Sequence, residues 1–299
     1  MTDSSAKTLR LLFPQWQGGN NPSYVFGAQM LAWLAPETSG PVETVAVAEP
    51  GEPLEMEEGI VARRALLAQA EDARRKIDAH RPDRVVVLGG DCSVDLVPFA
   101  YLNERYDGDL AVLWLDTHAD VINAEVFPNA HAMVMGNLMG EGDADFAGLV
   151  KRPVKPENTM FAGRLDTFES LPEVRAMEAR IFERLKLRTA RPSELAETSA
   201  PVLDWLRSTG AKHLAIHFDL DVLDPAAFRS LLFANPDPSG AIGGVPSGRM
   251  TIAQVVRLLS DVSEVVDVVG LGITEHMPWD AMALKGMLAK LPLIGAPGR

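Results

Sequence analysis

Short apolar runs rich in β-branched residues recur along the chain, and each is bounded by turn residues. In chain order they are LRLLF, VETVAVAE, RVVVLGGD, LAVLWLD, NTMFAGR, KHLAIHFDLD and VVGLGITE. A run that is apolar at consecutive positions is typical of a strand buried on both faces, as in a parallel sheet. The pattern therefore predicts a sheet of mostly parallel strands.

Helical patterns lie between these runs, and the clearest extends from Glu58 to His80. Its apolar positions fall near one face, with Arg and Glu on the other; they are Ile60, Leu66, Leu67, Ala70 and Ile77. Strands that alternate with helices predict an α/β protein in which helices cover both faces of the sheet.

The chain has no Ser/Gly linker, charge block or internal repeat, so we expect a single domain over residues 1–299. Its longest irregular stretch runs from Phe233 to Arg249 and follows an acidic motif. Loops of this length inside a compact domain are usually functional or disordered. An active-site rim and a plain surface loop are both consistent with the sequence.

Composition narrows the possible functions. The formal net charge of -13 argues against a nucleic-acid partner, which needs clustered Lys and Arg. The acidic excess either attracts cations or forms a solvated face. The lone cysteine, Cys92, excludes an internal disulfide framework and a four-cysteine zinc site. Without a secretion signal or an apolar run of about 18 residues, we expect a cytoplasmic protein that does not enter a membrane.

Two acidic motifs each follow an apolar run. Asp116, His118 and Asp120 come directly after LAVLW, and at a strand's period of two they point to one side. Asp219 and Asp221 end the run KHLAIHF in the same way. Alone, the first motif is more typical of a turn or surface cluster, and the second is also consistent with a strand end followed by a capped turn. Together, at strand ends in one α/β chain, they indicate a site, because such sheets bind ligands at the carboxyl ends of strands.

Buried carboxylates at these positions need a counter-charge, because an unpaired buried carboxylate costs several kcal/mol. Few basic residues accompany either motif. A divalent cation is the simplest compensation. Several carboxylates with one imidazole suit a hard or borderline metal such as manganese, and two such ions sharing carboxylates generate a hydroxide nucleophile at neutral pH.

Three ordered motifs make the chain resemble the ureohydrolase family, which comprises arginases, agmatinases and formiminoglutamases. The family pattern is GGDHS, DAHxD and DxDxxDP, and this chain has GGDCS, DTHAD and DLDVLDP between residues 85 and 280. The resemblance implies a three-layer α/β/α sandwich around an eight-stranded parallel sheet. It also implies a homo-oligomer, commonly a trimer or hexamer, acting on a small guanidino substrate.

The resemblance also implies a ligand set for two Mn²⁺ ions. Asp116 and Asp219 would bridge the ions, and His118 and Asp221 would complete one site. The other site would be completed by Asp120 and by the residue at position 92. In such hydrolases of C–N bonds in linear amidines, a metal-bridging hydroxide attacks the guanidinium carbon and releases urea or a substituted urea.

Two further residues receive catalytic roles from the same resemblance. His131 would shuttle a proton, although a lone histidine is as often structural. Glu275 would hold the guanidinium of the substrate.

The first metal motif departs from the family because Cys92 stands where most relatives have histidine. Cys92 is either a small buried apolar residue or a thiolate ligand. Since manganese prefers oxygen and nitrogen ligands, we expect the first site to be weaker or more selective than the second. The change leaves open a hydroxyarginine hydrolase, and it favours the alternative of a catalytically impaired, arginase-like binding protein.

The substrate-binding segments also depart from the arginase pattern. The loop VINAEVFPNAH is shorter than its arginase counterpart, and Phe168 falls where arginases have an Asp that holds the α-amino group. Asn123 and Asn129 are candidates for the missing polar contacts. Arginine, hydroxyarginine, agmatine and guanidino acids therefore all remain candidate substrates, and a metal-dependent amidohydrolase that releases no urea is a further alternative.

The remaining signals predict structure rather than chemistry. Gly270 and Gly272 lack the third glycine of a dinucleotide-binding loop. Trp114 lies in a core strand by its pattern, and the methionines are expected to pack a helix against the sheet; they are Met133, Met135 and Met139.

Overall fold

A computed structural model describes residues 6–237, 243–291 and 293. The main sheet has eight strands among the described residues, which are β1 (Thr8–Phe13), β2 (Val42–Thr44), β5 (Arg84–Gly89), β6 (Leu110–Leu115), β7 (Thr159–Ala162), β8 (Arg188–Ala190), β9 (His213–Asp219) and β10 (Asp267–Thr274). Their order in the sheet is β2-β1-β5-β10-β9-β6-β7-β8, and every neighbouring pair is parallel. A separate antiparallel pair is formed by β3 (Met56–Glu57) and β4 (Ile60–Val61).

The helices of the described residues lie mostly between the strands. They are α1 (Ser23–Leu34), α2 (Arg63–His80), α3 (Leu96–Arg105), α4 (Val134–Leu138), α5 (Ala144–Gly148), α6 (Pro172–Leu185), α7 (Ala200–Thr209), α8 (Ile252–Val265) and α9 (Trp279–Leu288). None of these helices is long and apolar enough to cross a membrane.

Strand β6 shows that both faces of the sheet are buried. Its alternate residues Leu110, Val112 and Trp114 belong to one hydrophobic core. The intervening residues of the strand belong to a second core on the opposite face. Helices α2, α3 and α4 contribute to the first core, and α7 and α8 to the second. The predicted three-layer α/β/α architecture with an eight-stranded parallel sheet is therefore confirmed.

All seven apolar runs contain a strand, as predicted. Strand β8 was missed because it is a three-residue edge strand whose Arg188 and Thr189 are exposed. Such a segment carries no apolar signal. The methionine stretch packs as expected, with Met133 and Met135 fully buried around α4.

The predicted helix from Glu58 to His80 begins too early. Helix α2 starts at Arg63, and Ile60 lies instead in β4, fully buried. Glu58 and Gly59 both have positive φ, of 50° and 84°, which is the two-residue turn that joins hairpin strands. The Glu-Gly pair indicates this hairpin in the sequence. The helix was predicted to begin at Glu58 because Ile60 matches the apolar face of the helical pattern.

Candidate metal centre

The sequence motifs converge because β5, β10, β9 and β6 are neighbours in the centre of the sheet. The carboxyl end of β5 leads to Cys92, that of β10 to Glu275, and that of β6 to Asp116, while Asp219 ends β9. Parallel strands bring their carboxyl ends to one edge. Segments far apart in the chain thus deliver acidic and sulfur side chains to one buried volume.

Three overlapping groups at this edge could hold a metal ion, and within each group the ligand atoms lie within 4.8 Å of one another. One group contains His118, and the other two share Cys92. The groups are Asp116, His118 and Asp221; Cys92, Asp219 and Glu275; and Cys92, Asp116, Asp120 and His217. All six predicted metal ligands are therefore brought together, along with a histidine that the sequence reasoning did not assign.

His118 is oriented by hydrogen bonding. Its Nε2 lies 3.1 Å from the carbonyl oxygen of Pro246, which can only accept, so Nε2 carries the proton. Its Nδ1 lies 3.0 Å from Oδ2 of Asp221 and 3.5 Å from Oδ1 of Asp116. Burial lowers the pKa of His118, but the charges of Asp221 and Asp116 outweigh it and raise that pKa well above its usual range. Nδ1 therefore shares a proton with these carboxylates, and a cation bound there would take the place of that proton.

Cys92 lies within the acidic cluster and not in the apolar core alone. Its Sγ is 3.1 Å from Oδ2 of Asp219 and 3.6 Å from Oε1 of Glu275. Burial, followed by the negative charges of Asp219 and Asp120, raises the pKa of the Cys92 thiol well above its usual range. Without a cation, Cys92 is therefore a thiol that donates to Asp219.

The chemistry of these residues fits a bound cation. Burial and the charges of Asp221 and Asp116 raise the pKa of Asp219 well above its usual range, and burial does the same for Asp120. Among the described residues, Oδ2 of Asp120 and Nε2 of His217 are buried without a hydrogen-bond partner. Concentrated carboxylates and unpaired acceptors at one point are what a divalent cation would satisfy.

Asp120 and Glu275 also have unusual backbone conformations. Their φ angles are 52° and 64°, in the left-handed region that non-glycine residues adopt at a cost of about 1–3 kcal/mol. The amide of Glu275 donates to the carbonyl of Gly90 at 2.8 Å, which fixes this turn after β10. The backbone is therefore strained at the two residues whose carboxylates lie in this cluster.

A cavity of about 420 Å³ opens over the cluster. Its wall contains Glu275, His131, Asn129 and all the predicted metal ligands except Asp116, whereas Asn123 lies outside it. The carboxamide of Asn123 instead accepts from the amide of Glu125 in a local turn. Apolar residues form much of the remaining wall; they include Ile122, Phe127, Phe168, Leu171, Val174, Phe233 and Val245.

The long stretch after the second acidic motif contributes to this wall through Phe233 and Val245. Residues 238–242 of that stretch lie outside the described residues. The described part therefore borders the cavity, as an active-site rim would.

His131 is held at the cavity wall through one nitrogen. Its Nδ1 lies 2.9 Å from the carbonyl oxygen of Gly18, so Nδ1 is the donor and Nε2 is left as a proton acceptor. Burial lowers the pKa of His131, and the charge of Asp91 opposes this effect. The imidazole is thus kept neutral and available to take up a proton.

Several residues of the site were missed by sequence reasoning. His217 lies two positions before Asp219, so the strand's period of two already placed both on one side. Asp95 pairs with His217, and no local pattern reveals this contact. Glu178 lines the cavity and forms a buried ion pair of 2.7 Å with Arg164.

The fold and this constellation define an α/β protein with a candidate metal centre at the carboxyl edge of a parallel sheet. A sequence model described as "Arginase family" matches residues 22–281. The chain belongs to the arginase family.

Individual relatives agree with this assignment. A curated arginase of Bacillus caldovelox is 30% identical over 146 residues, which are 47% of each chain, so the sequence match spans about half of that relative's length. The solved arginase of B. caldovelox is similar with a TM-score of 0.74 at 20% identity, covering 96% of this chain and 99% of that one.

Two more distant solved structures have the same fold. An Entamoeba histolytica arginase in complex with L-ornithine gives a TM-score of 0.72 at 17% identity over 91% of this chain and 92% of that one. A formimidoylglutamase of Bacillus subtilis gives 0.60 at 13% identity over 93% of this chain and 82% of that one.

Proposed function

We propose that this protein is a manganese-dependent hydrolase of a guanidino compound that cleaves a C–N bond and releases urea or a substituted urea. The observation that carries the proposal is the convergence of His118 and four aspartates beneath a cavity that also contains Glu275. Membership of the arginase family supports it.

In this proposal, which follows the family resemblance, the ligands divide into two sets that share Asp116 and Asp219. The observed groups support it in part: His118 and Asp221 lie together with Asp116, and Asp120 lies with Asp116 and Cys92. Carboxylates with imidazole suit manganese better than a soft metal. A bound pair of such ions supplies an activated water as nucleophile at neutral pH.

Two other residues act on the substrate in this proposal. Glu275 is buried and has a pKa raised well above its usual range by burial, so a cationic guanidinium would compensate its charge. His131 presents Nε2 as a base on the cavity wall, where it can take up a proton from the attacking water and pass it to the departing amine. The apolar wall excludes water and strengthens both interactions.

The residues that line the cavity also indicate the charge at the end of the substrate opposite its guanidino group. Among its described residues the cavity wall contains no Lys or Arg; Asn129 lines it, and Glu178, which also lines it, is already paired with Arg164. A substrate carboxylate would find no cation there. We therefore propose a guanidino substrate with a cationic or neutral tail, such as agmatine, over a guanidino acid.

The competing candidate is a catalytically impaired binding protein. The burial of Cys92 as a thiol beside Asp219 favours it, because a protonated sulfur is a poor ligand. A hydroxyarginine hydrolase is the alternative within the enzymatic proposal.

A substrate panel with metal counting tests these proposals. The purified protein is loaded with Mn²⁺, and urea release is measured with arginine, hydroxyarginine, agmatine and γ-guanidinobutyrate. The last two have similar chain length and differ in the sign of the terminal charge. Two ions per chain and a higher kcat/KM for agmatine than for γ-guanidinobutyrate are expected. No turnover of any guanidine, with fewer than one ion bound per chain, would refute the enzymatic proposal.

We also propose that the protein acts in the cytoplasm as a homo-oligomer, a trimer or hexamer, as its resemblance to the family implies. The mass of the particle in solution, measured by light scattering after gel filtration, tests the assembly; the mass of one chain would contradict it.

A further inference from the structure

His217 and Asp95 form a fully buried pair beneath the metal centre. Nδ1 of His217 lies 2.7 Å from Oδ2 of Asp95, and both side chains have no exposed surface. An ionised carboxylate can only accept a hydrogen bond; with Asp95 ionised, Nδ1 of His217 is the donor and Nε2 is left with its lone pair toward the site. A carboxylate behind a histidine in this way is the usual support of a metal-ligating imidazole.

The free nitrogen faces the first metal site. Nε2 of His217 is buried and has no hydrogen-bond partner among the described residues. It lies 3.8 Å from Oδ2 of Asp116, and it belongs to the group whose ligand atoms lie within 4.8 Å of one another, with Cys92 and Asp120. An unpaired nitrogen among carboxylates needs either a proton or a cation between them.

The surroundings hold the ring in this position. The Trp114 indole stacks on the imidazole of His217, with ring centroids 3.6 Å apart and planes 8° apart. Gly272 leaves room for Asp95, because a Cβ at that glycine would lie 1.9 Å from Oδ2 of the aspartate. Three strands therefore fix the pair, which agrees with a ligand whose direction matters.

We propose that His217 supplies the imidazole ligand of the first metal site, in place of the histidine that is absent at position 92, and that Asp95 is its positioning residue. The inference rests on the proposed function, because it requires a metal at this edge of the sheet. A neutral imidazole adds no charge to a site that already contains Asp116, Asp120 and Asp219. The first site would then have the mixed oxygen and nitrogen set that manganese prefers, with or without the sulfur.

The central test compares His217→Asn with His213→Asn. His213 is on the same strand, β9, and also stacks on an aromatic ring, that of Tyr106, but it lies far from the cluster at the opposite end of the strand. Manganese per chain and the electron paramagnetic resonance signal of coupled ions are measured on the folded proteins. We expect the wild type and His213→Asn to bind two coupled ions, and His217→Asn to bind one uncoupled ion.

Two further variants keep the inference testable if His217→Asn fails to fold. Asp95→Asn retains the imidazole and should weaken the first site by roughly 10–100-fold, the usual effect of losing a carboxylate behind a ligating histidine. The double variant Cys92→His with His217→Ser moves the imidazole across the site and should restore two coupled ions.

The outcomes separate this inference from the proposed function. Two coupled ions of unchanged affinity in His217→Asn, or in Asp95→Asn where His217→Asn does not fold, would overturn the ligand role of His217 and leave the proposed function standing. Fewer than one ion per chain in the wild type would overturn both.

Discussion

The indole of Trp114 lies parallel to the imidazole of His217, and its Nε1 donates a hydrogen bond of 3.0 Å to Oδ2 of Asp116. One buried tryptophan therefore contacts a proposed bridging carboxylate and a proposed ligand histidine at once. The sequence marked Trp114 as a core residue, which it is, but its polar nitrogen belongs to the metal centre.

Trp114→Phe keeps an aromatic ring against His217 and removes the hydrogen bond to Asp116. We expect first-site manganese affinity to fall by roughly tenfold, as for other groups that orient metal ligands. The control is Trp205→Phe. Trp205 lies in the second hydrophobic core, on the opposite face of the sheet, and its buried indole donates a hydrogen bond to the carbonyl oxygen of Glu157. Both variants should lose stability, but titration calorimetry should find weaker metal binding only in Trp114→Phe; equal affinities would contradict the orienting role.

Gly272→Ala should disrupt the support of the first site. The added Cβ would lie 1.9 Å from Oδ2 of Asp95, so the carboxylate must move away from His217. Overpacking of this kind costs about 1–3 kcal/mol of unfolding free energy. Gly286→Ala, in the last turn of α9 with nothing within 4 Å of the added Cβ, should instead be neutral or stabilising by up to about 1 kcal/mol. Urea unfolding compares the two, and equal stabilities would show that the Asp95 position is adaptable.

Asp219→Ala should abolish manganese binding at both sites, because the proposed role of Asp219 is to bridge them. Asp224→Ala changes the third aspartate of the same motif, whose Oδ1 accepts from the amide of Ala226 in the turn that leaves the sheet. It should retain two ions and lose about 1 kcal/mol of stability, as loss of a capping side chain does. Metal content measured after dialysis distinguishes the variants, and unchanged metal in Asp219→Ala would refute the bridge.

His131→Asn should lower kcat by roughly 10²–10⁴-fold, the usual contribution of a positioned acid or base. Metal content should not change, because His131 is bound to the Gly18 carbonyl and belongs to none of the ligand groups found among the described residues. His80→Asn, at the surface beside Glu43, is the control and should retain full activity. A wild-type kcat in His131→Asn would leave the residue a structural role only.

Glu275 should make the metal-free protein less stable as pH rises. Burial raises its pKa well above the usual range, so the folded state keeps a proton that the unfolded chain loses above about pH 4.3. Because the folded state binds more protons over that interval, the free energy of unfolding falls with increasing pH. Glu275→Gln has no carboxyl group to ionise at this position, so its free energy of unfolding should not fall for this reason. In the presence of a chelator, the free energy of unfolding of Glu275→Gln minus that of the wild type should increase between pH 4.5 and 8. Parallel pH profiles from urea unfolding would contradict this assignment.

Much of the fold and of the site could be predicted because both follow from the order of apolar and polar residues within short segments. Continuous apolar runs identified seven strands of the sheet, since a strand buried on both faces tolerates few polar residues. The motifs at strand ends identified Asp116, His118 and Asp219 for the same reason, because a polar residue immediately after such a run must lie at the sheet's edge. The role of Asn129, and the extent of a single domain over residues 1–299, stay predictions.

Contacts between residues far apart in the chain could not be predicted from the pattern within short segments. The sequence by itself determined which segments are strands and which carboxylates end them, because hydrophobic burial and strand period act between near neighbours. Only the tertiary structure decided that β10 lies between β5 and β9, which places Asp95, shortly after β5, against His217 of β9 across 122 positions of the chain. Strand order is set by the packing of the whole sheet. That His217 shares a group of potential metal ligands with Cys92 therefore emerges only once the chain has folded.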